Sequence, residues 1–392
     1  MKYAGLGLVA ALGCGTGPSG GGDAHGVTII ASVAPDAIIV YRDGDGPWTA
    51  TTGAASPIKF PVETGTYTVA VGCPSKDTKR VDVYELTTAD LQTVTYDQDC
   101  RSAVASVGGT VSGFAQSGPG QTGFQIRWGQ DTVWYQNFGG PASYTAMIPL
   151  GTHDLVATRG TTITDRLMFI RDLVLVSSIT QDFDFADPNA VVLEYPQISA
   201  IGIGRLGTIA NTLFTSGGTK ISLGIGTDHV SVVPAAAMGQ ADLQMLSAAG
   251  QVGVGSTLPV YSTRHVSRVA PTMIELPPPI QEEPIVVASI VGSSTLLEAS
   301  WSPQPNAAAY GLHAGNWSVH ASPAVLESSG MSLPDLATVP GWDATLSLQP
   351  SISVDWDVTV ATGATLDDTL RTVPIHETEI RNSGWVGRAI PQ

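Results

Sequence analysis

Short runs of apolar residues, many alternating with polar ones, recur along the first part of the chain. They cover residues 37–42, 66–72, 80–86 and 93–96, and glycine, aspartate and proline lie between them. Because successive side chains of a strand point to opposite faces, a period of two predicts a half-buried β-strand. Asp43-Gly-Asp-Gly after the first run is typical of a hairpin turn. Regularly spaced short strands with such turns predict a β-sandwich.

This pattern repeats at an offset of 86 residues. The segment 60–71 resembles the segment 148–157, with two fewer residues between proline and glycine. The offset relates the pairs Gly65 and Gly151, Trp48 and Trp134, and Arg80 and Arg166. Agreement at so many positions indicates an internal duplication. Residues 230–234 and 242–245 resemble the second copy and point to a third, weaker one.

Two stretches resemble known families of small β-sandwich domains. The Gly-x-Tyr-x-Val-x-Val run that begins at Gly65 resembles Ig-like sandwiches of the carboxypeptidase-regulatory or transthyretin-like kind. Nearer the C-terminus, Trp301 followed by Tyr310 resembles the fibronectin type III signature, and residues 352–360 alternate as a long strand would. These resemblances imply modules that act as spacers or in binding. They carry over no functional residue.

The first residues have the features of a secretory signal. Lys2 precedes an apolar stretch at positions 3–12, which is too short to span about 30 Å of hydrocarbon as a helix. The segment 11–14 resembles a bacterial lipobox, in which the chain is cut before a diacylated cysteine, here Cys14. An ordinary small-residue cleavage site is the alternative, because Leu12 lies two positions before the cysteine instead of three. The glycine-rich residues 15–26 predict a flexible tether.

Cys73 and Cys100 remain once Cys14 is assigned to lipid attachment. Each shares the parity of the apolar residues in its own strand, so both thiols are expected to face the same core. An exported chain places them in an oxidising compartment, which predicts a disulfide, with two buried free thiols as the alternative. The equivalent positions of the second copy hold Arg159 and Ala186. Joint absence of both cysteines is what a bonded pair predicts.

Together these patterns predict an all-β chain of tandem small β-sandwiches after a cleaved lipoprotein signal peptide. The expected division is a signal peptide at 1–13, the lipidated cysteine and tether at 14–26, sandwich repeats at 27–102 and 103–190, a degenerate third repeat at 191–275, and a fibronectin type III-like sandwich at 276–392.

The net charge and the spacing of polar residues exclude several classes of function. The chain carries 34 acidic and 18 basic side chains, a formal net charge of -16, which excludes nucleic-acid binding through a basic face. The seven histidines are scattered and show no metal-ligand spacing. Asp43 and Asp45 lack the other ligands of a calcium loop, and Asp182, Asp184 and Asp187 are typical of a solvated strand face. The sequence therefore predicts no metal, no cofactor and no catalytic residue.

Trp128, Tyr135 and Phe138 lie close together in one hairpin of the second copy. Their large apolar faces make them candidates for stacking against sugar rings or a protein partner. Ordinary core packing is the alternative interpretation.

The predicted function is non-catalytic binding or adhesion by a protein that resembles uncharacterised surface lipoproteins of Gram-negative bacteria. It is expected at the outer membrane, periplasmic or surface-exposed, with the membrane as one partner through Cys14 and an unknown protein or carbohydrate as its ligand. A structural stalk or scaffold of an envelope assembly is one alternative. A hydrolase with a site assembled from remote residues is another, and a deep pocket holding several of Asp335, His313, His320 and His376 would favour it.

Overall fold

The computed structural model describes residues 25–74, 79–101, 103–114, 122–129, 131–137, 141–160, 163–202, 205–351 and 353–391. In these ranges the regular structure is almost entirely β-strand, which confirms the predicted all-β fold class. The α-helices found there are short, α1 at Pro323–Ser329 and α2 at Leu366–Leu370. Single 3₁₀ turns lie at Gly53–Ala55, Ala235–Ala237 and Ala344–Leu346.

The strands follow the chain in four groups. The first group is β1 His25–Ile30, β2 Ile38–Asp43, β3 Thr49–Thr52, β4 Ile58–Val62, β5 Thr66–Cys73, β6 Arg80–Thr87 and β7 Thr93–Thr95. The second is β8 Val104–Ser112, β9 Thr122–Trp128, β10 Asp131–Asn137, β11 Ala142–Pro149, β12 Gly151–Arg159, β13 Arg166–Leu175, β14 Ile179–Thr180, β15 Phe183–Asp184 and β16 Val191–Val192. The third is β17 Ser199–Ile201, β18 Arg205–Phe214, β19 Lys220–Gly226, β20 Leu243–Gln251, β21 Leu258–Ser267 and β22 Met273–Glu275. The last is β23 Ile285–Val291, β24 Ser294–Ser300, β25 Ala309–Ala314, β26 Trp317–Ala321, β27 Met331–Ser332, β28 Val354–Thr362 and β29 Thr378–Ala389.

Each group contains four antiparallel strands in the same spatial order. The orders are β3-β2-β5-β6, β10-β9-β12-β13, β19-β18-β20-β21 and β26-β25-β28-β29. In each set the second strand of its first hairpin lies at one edge. The first strand of that hairpin comes next, and the two later strands of the set follow it. The first two sets come from the segments that the 86-residue offset relates, and the other two come from the rest of the chain.

Three of these sets join edge to edge in one 12-stranded sheet. β21 pairs antiparallel with β29, and β26 pairs parallel with β6. The sheet therefore passes through residues of the segments 27–102, 191–275 and 276–392. The set from the segment 103–190 forms a sheet of its own, which β16 extends.

Smaller sheets complete the sandwiches. In the first group β1 pairs antiparallel with β4 and parallel with β7, and in the second group β8 has the same relations to β11 and β14. Apolar side chains fill the space between each small sheet and its four-stranded set, for example Ile29, Ile39 and Val69 in the first group. Burial of these side chains stabilises the fold by about 25 cal/mol per Å² of apolar surface.

The predicted disulfide is confirmed. Cys73 at the end of β5 is bonded to Cys100, with their Cα atoms 5.8 Å apart, and both residues are buried in the first sandwich core. Gly65 has a φ of 82° in the turn that leads into β5, a conformation that glycine adopts without strain.

An extensive apolar core covers one face of the 12-stranded sheet in its middle part. It includes Leu312 of β25, Val319 of β26 and Val358 of β28, together with Trp317 and Trp342. Because strand side chains alternate between faces, the neighbours of these residues point to the opposite side of the sheet. That side carries the polar residues described next.

Candidate functional site

The aromatic candidates of the second repeat lie in or near β9 and β10. Trp128 is 1% exposed, and its indole N–H donates to the carbonyl of Pro149 at 2.9 Å. The ring therefore belongs to the core and presents no free face to a sugar. The side chain of Tyr135 and the whole of Phe138 lie outside the described residues, as does Cys14.

The acidic residues noted in the sequence hold local backbone in place. Asp43 accepts hydrogen bonds from the backbone N–H of Glu63 at 2.8 Å and of Thr64 at 3.1 Å. Asp182 accepts from the backbone N–H of Thr110 at 2.7 Å. Within the described ranges no group of three or more histidine, cysteine, aspartate or glutamate side chains is placed to hold a metal ion.

A cavity of about 360 Å³ lies over the middle of the 12-stranded sheet, on the face opposite the Trp317 core. Its walls come from α2 and the residues that follow it, and from the strands β6, β19, β20, β21, β25, β26, β28 and β29. Its polar lining consists of Arg80, Asp82, Tyr84, Gln98, Lys220, Ser262, Arg264, His313, His320, Thr359, Asp368, Thr369, Arg371, Thr372, His376, Thr378 and Asn382. The cavity is thus built by three of the four strand sets.

Arg80 and Asp82 form an ion pair in the cavity wall. The Nε and Nη2 groups of Arg80 donate to the carboxylate of Asp82 at 2.8 and 2.9 Å, and the side-chain amide of Gln98 lies 3.5 Å from it. Burial raises the pKa of Asp82, and the guanidinium of Arg80 opposes that rise. Since each charge faces its partner, this pair adds little net charge to the cavity.

His313 of β25 and His320 of β26 face the cavity from adjacent strands, with ring centroids 5.7 Å apart. His320 stacks on Tyr84 at a centroid distance of 5.6 Å, and His313 Nδ1 lies 2.9 Å from Ser318 Oγ. Burial lowers the pKa of both imidazoles to about 4. At neutral pH each ring is therefore uncharged and has one donor and one acceptor nitrogen.

Two further cations reach the cavity without an ionic partner. Arg264 of β21 and Lys220 of β19 line it, and neither side chain has a hydrogen bond or ion pair to another described residue. Burial lowers the pKa of Arg264. Burial, followed by the positive charges of Arg80 and Arg127, also lowers the pKa of Lys220. The carboxylate of Asp97 opposes part of this fall in the pKa of Lys220.

One side of the cavity is closed by residues 366–376, which we call the strap. Asp97 accepts the backbone N–H groups of Thr372 at 3.2 Å and Val373 at 2.8 Å, and so ties the strap to the first sandwich. Within the strap, His376 Nε2 lies 3.0 Å from Asp368 Oδ1. These bonds fix the strap over the polar floor.

Gly311 makes room for the groups beside it. A Cβ at this position would lie 2.6 Å from Thr359 Oγ1 and 3.4 Å from His313 Nε2. Any other residue would displace the hydroxyl, and the imidazole would also have to adjust. The open floor next to His313 therefore depends on glycine at position 311.

Three of the four residues named for a remote-site hydrolase, His313, His320 and His376, do line this cavity. Asp335 does not line it, and its carboxylate accepts the backbone N–H of Ala337 at 3.2 Å. Sequence reasoning did not find Arg80, Asp82, Lys220 or Arg264. A polar residue at every second position of a strand normally indicates a solvated face, and nothing in that pattern distinguishes a face enclosed by a strap.

Neither a scan against protein-family models nor a search of curated proteins found a match to this chain. In the part of the chain that the structure describes, no helix is both long and apolar enough to cross a membrane.

Proposed function

We propose that the chain is a non-catalytic ligand-binding module of the cell envelope and that the cavity over the 12-stranded sheet is its binding site. The observation that carries the proposal is the convergence of polar side chains from three strand sets on one enclosed space of about 360 Å³. Ligand pockets in proteins typically measure about 300–1,000 Å³ and use a few placed polar groups for specificity. A small molecule fits this space.

The floor of the site stands on the middle strands of a continuous sheet. His313, His320 and Thr359 stand on strands that hydrogen-bond to neighbours on both sides. Ser318 and Tyr84 hold the two imidazoles in place. A preorganised site loses little conformational entropy when it binds, which favours binding as its role.

Thermal-shift screening of a small-molecule panel against the full chain tests this proposal. Ser262 lines the cavity, so Ser262→Phe should fill it and abolish the shift that a bound ligand produces. Ser302→Phe, at an exposed position, is the matched control and should keep the shift. A ligand whose shift is the same in wild type and Ser262→Phe binds elsewhere, and that result would remove the cavity from the proposal.

The envelope location is part of the same proposal, with lipid attachment at Cys14 and tandem Ig-like and fibronectin type III-like modules. Its support is the apolar stretch at 3–12 and the Cys73–Cys100 disulfide, since disulfides persist in oxidising compartments. Detergent-phase partition of wild type and Cys14→Ser, with protease treatment of intact cells, tests it. Wild type should partition into detergent and the variant should not. Equal partition of wild type and variant would show that Cys14 carries no lipid anchor.

A hydrolase is the second candidate, because three histidines share the cavity with the carboxylates of Asp82 and Asp368. Imidazole and carboxylate are the groups most used in general acid–base catalysis. Chromogenic ester, phosphate and glycoside substrates test it, with His313→Gln and His320→Gln as variants. Turnover that both variants abolish would replace binding by catalysis. No turnover by wild type would end this alternative for those substrate classes.

A further inference from the structure

The cavity has an excess of positive charge in a chain that is strongly negative. Its lining includes Arg80, Lys220, Arg264 and Arg371 but only the carboxylates of Asp82 and Asp368. The whole chain has 18 basic side chains and a net charge of -16. A cluster of cations against that background is not explained by composition.

Pairing within the protein accounts for only half of these cations. Arg80 is bonded to Asp82, and Arg371 Nε lies 2.8 Å from Asp367 Oδ2. The half-buried side chains of Arg264 and Lys220 form no hydrogen bond or ion pair with another described residue, although the more distant carboxylate of Asp97 acts on Lys220. Burying an unpaired charge is unfavourable, so proteins normally pair or coordinate a buried charge.

We infer that the ligand of the cavity is a small molecule with an oxyanion group, held by Arg264 and Lys220; this inference rests on the proposed function. An anion between the two side chains would supply the missing partner to both. A guanidinium presents a planar fork of donors that matches a carboxylate or a phosphate, and an ammonium adds a point charge.

The uncharged surroundings complete the site. His313 and His320 lie close to Arg264, and each neutral ring has one N–H group. In His313 this group can donate to the anion from Nε2 when Nδ1 accepts the hydroxyl of Ser318. Thr359 and Asn382 line the same space with a hydroxyl and an amide. Charged and neutral donors around one space fit an oxyanion better than they fit an uncharged sugar.

Isothermal titration calorimetry on the full-length protein tests the inference. The probes are inorganic phosphate, succinate and citrate, with glucose as a neutral compound. We expect either phosphate alone or the two carboxylates alone to bind. The probe that binds identifies the oxyanion group as a phosphate or a carboxylate. Lys220→Gln and Arg264→Gln should each weaken that binding about tenfold or more, because each removes a charge-assisted contact. The controls Lys59→Gln and Arg388→Gln, at exposed positions, should leave it unchanged.

A second measurement needs no ligand. If Lys220 and Arg264 are held without a partner, replacing either by glutamine should raise the Tm of the protein in anion-poor buffer, while the two controls should not. Added ligand should then raise the Tm of wild type more than that of the variants, since binding stabilises the folded state.

The outcomes separate the inference from the proposed function. Glucose or another neutral compound that binds equally to wild type, Lys220→Gln and Arg264→Gln but not to Ser262→Phe would overturn the oxyanion and keep the cavity as a binding site. Absence of binding by every probe, with Tm values unchanged by the two variants, would overturn both. An oxyanion that binds equally to wild type and both variants would overturn the assignment of Arg264 and Lys220.

Discussion

Glu85 of β6 lies beside a second cavity, of about 300 Å³, which Arg42 of β2 also lines. Burial raises the pKa of Glu85 to about 7, and the positive charge of Arg42 opposes the rise. In the unfolded chain this carboxyl ionises near its ordinary pKa of 4.5. The folded state therefore holds a proton that the unfolded state has lost, and stability falls as pH rises from about 4.5 through 7.

Glu85→Gln removes this pH dependence. We expect the variant and wild type to have similar stability at pH 4.5, and the variant to gain about 3 kcal/mol by pH 8, since each pKa unit corresponds to about 1.4 kcal/mol. Urea unfolding at several pH values measures the difference. Glu283→Gln, at an exposed position, should show no such trend. A constant difference across pH would show that folding does not raise the pKa of Glu85.

The cavity histidines produce the opposite slope. Their pKa is lowered to about 4, so between about 6.5 and 4 the unfolded chain binds protons that folded His313 and His320 do not. Stability is therefore lost as pH falls through this window. Relative to wild type, His320→Gln should become progressively more stable from pH 7 to pH 4.5 in thermal melts. His229→Gln, near the surface, is the control. A parallel pH profile for His320→Gln would contradict burial of a neutral imidazole.

Among the structural elements, the strap is attached to the first sandwich in part through Asp97. Its carboxylate accepts the backbone N–H groups of Thr372 and Val373. Burial raises the pKa of Asp97, while these bonds and Arg371 oppose the rise. The strap is also tied to the first sandwich by Leu370, which is buried in that core, and by Arg371, whose Nη2 lies 3.4 Å from Thr95 Oγ1. Loss of the Asp97 charge should therefore loosen the strap mainly around Thr372 and Val373.

Asp97→Asn should increase hydrogen exchange in peptides that cover residues 366–376 by about tenfold or more, because a hydrogen bond to a charged group contributes about 1.5–3 kcal/mol. Exchange followed by mass spectrometry measures this. The exposed Asp90 bonds locally to Thr87, and Asp90→Asn should leave the strap unchanged. Unaltered exchange in the Asp97 variant would mean that other contacts, such as the burial of Leu370 in the first sandwich core, hold the strap in place.

The observed strands also show which features of the fold can be predicted from a single sequence. Alternation predicted strands at 66–72 and 80–86, and the structure has β5 at Thr66–Cys73 and β6 at Arg80–Thr87. The parity argument also found the disulfide. Alternation and parity could not predict strand register or edge pairing, because the parallel pairing of β6 with β26 joins residues more than two hundred positions apart. Local periodicity contains no information on such a contact, and the cavity forms only where those edges meet.

At the scale of the whole molecule, the 12-stranded sheet joins segments that the sequence divided into separate modules. An edge strand exposes unpaired N–H and C=O groups, and pairing β21 with β29 and β26 with β6 satisfies those edges. Tyr310, Val319 and Val83 belong to one core across the β6–β26 junction. Unfolding of the first sandwich would expose this core, so the first and last groups of strands are expected to unfold together.

Opening the Cys73–Cys100 disulfide tests this coupling. The bond closes a loop with a sequence separation of 27, so the double variant Cys73→Ala/Cys100→Ala should lose about 3 to 4 kcal/mol of unfolding free energy. Because β26 pairs with β6, hydrogen exchange should increase in β25 and β26 as well as in β5 and β6. The sheet of β9, β10, β12 and β13, which lacks the bond, serves as the internal control. Faster exchange confined to residues 25–100 would show that the first sandwich unfolds independently, despite the continuous sheet.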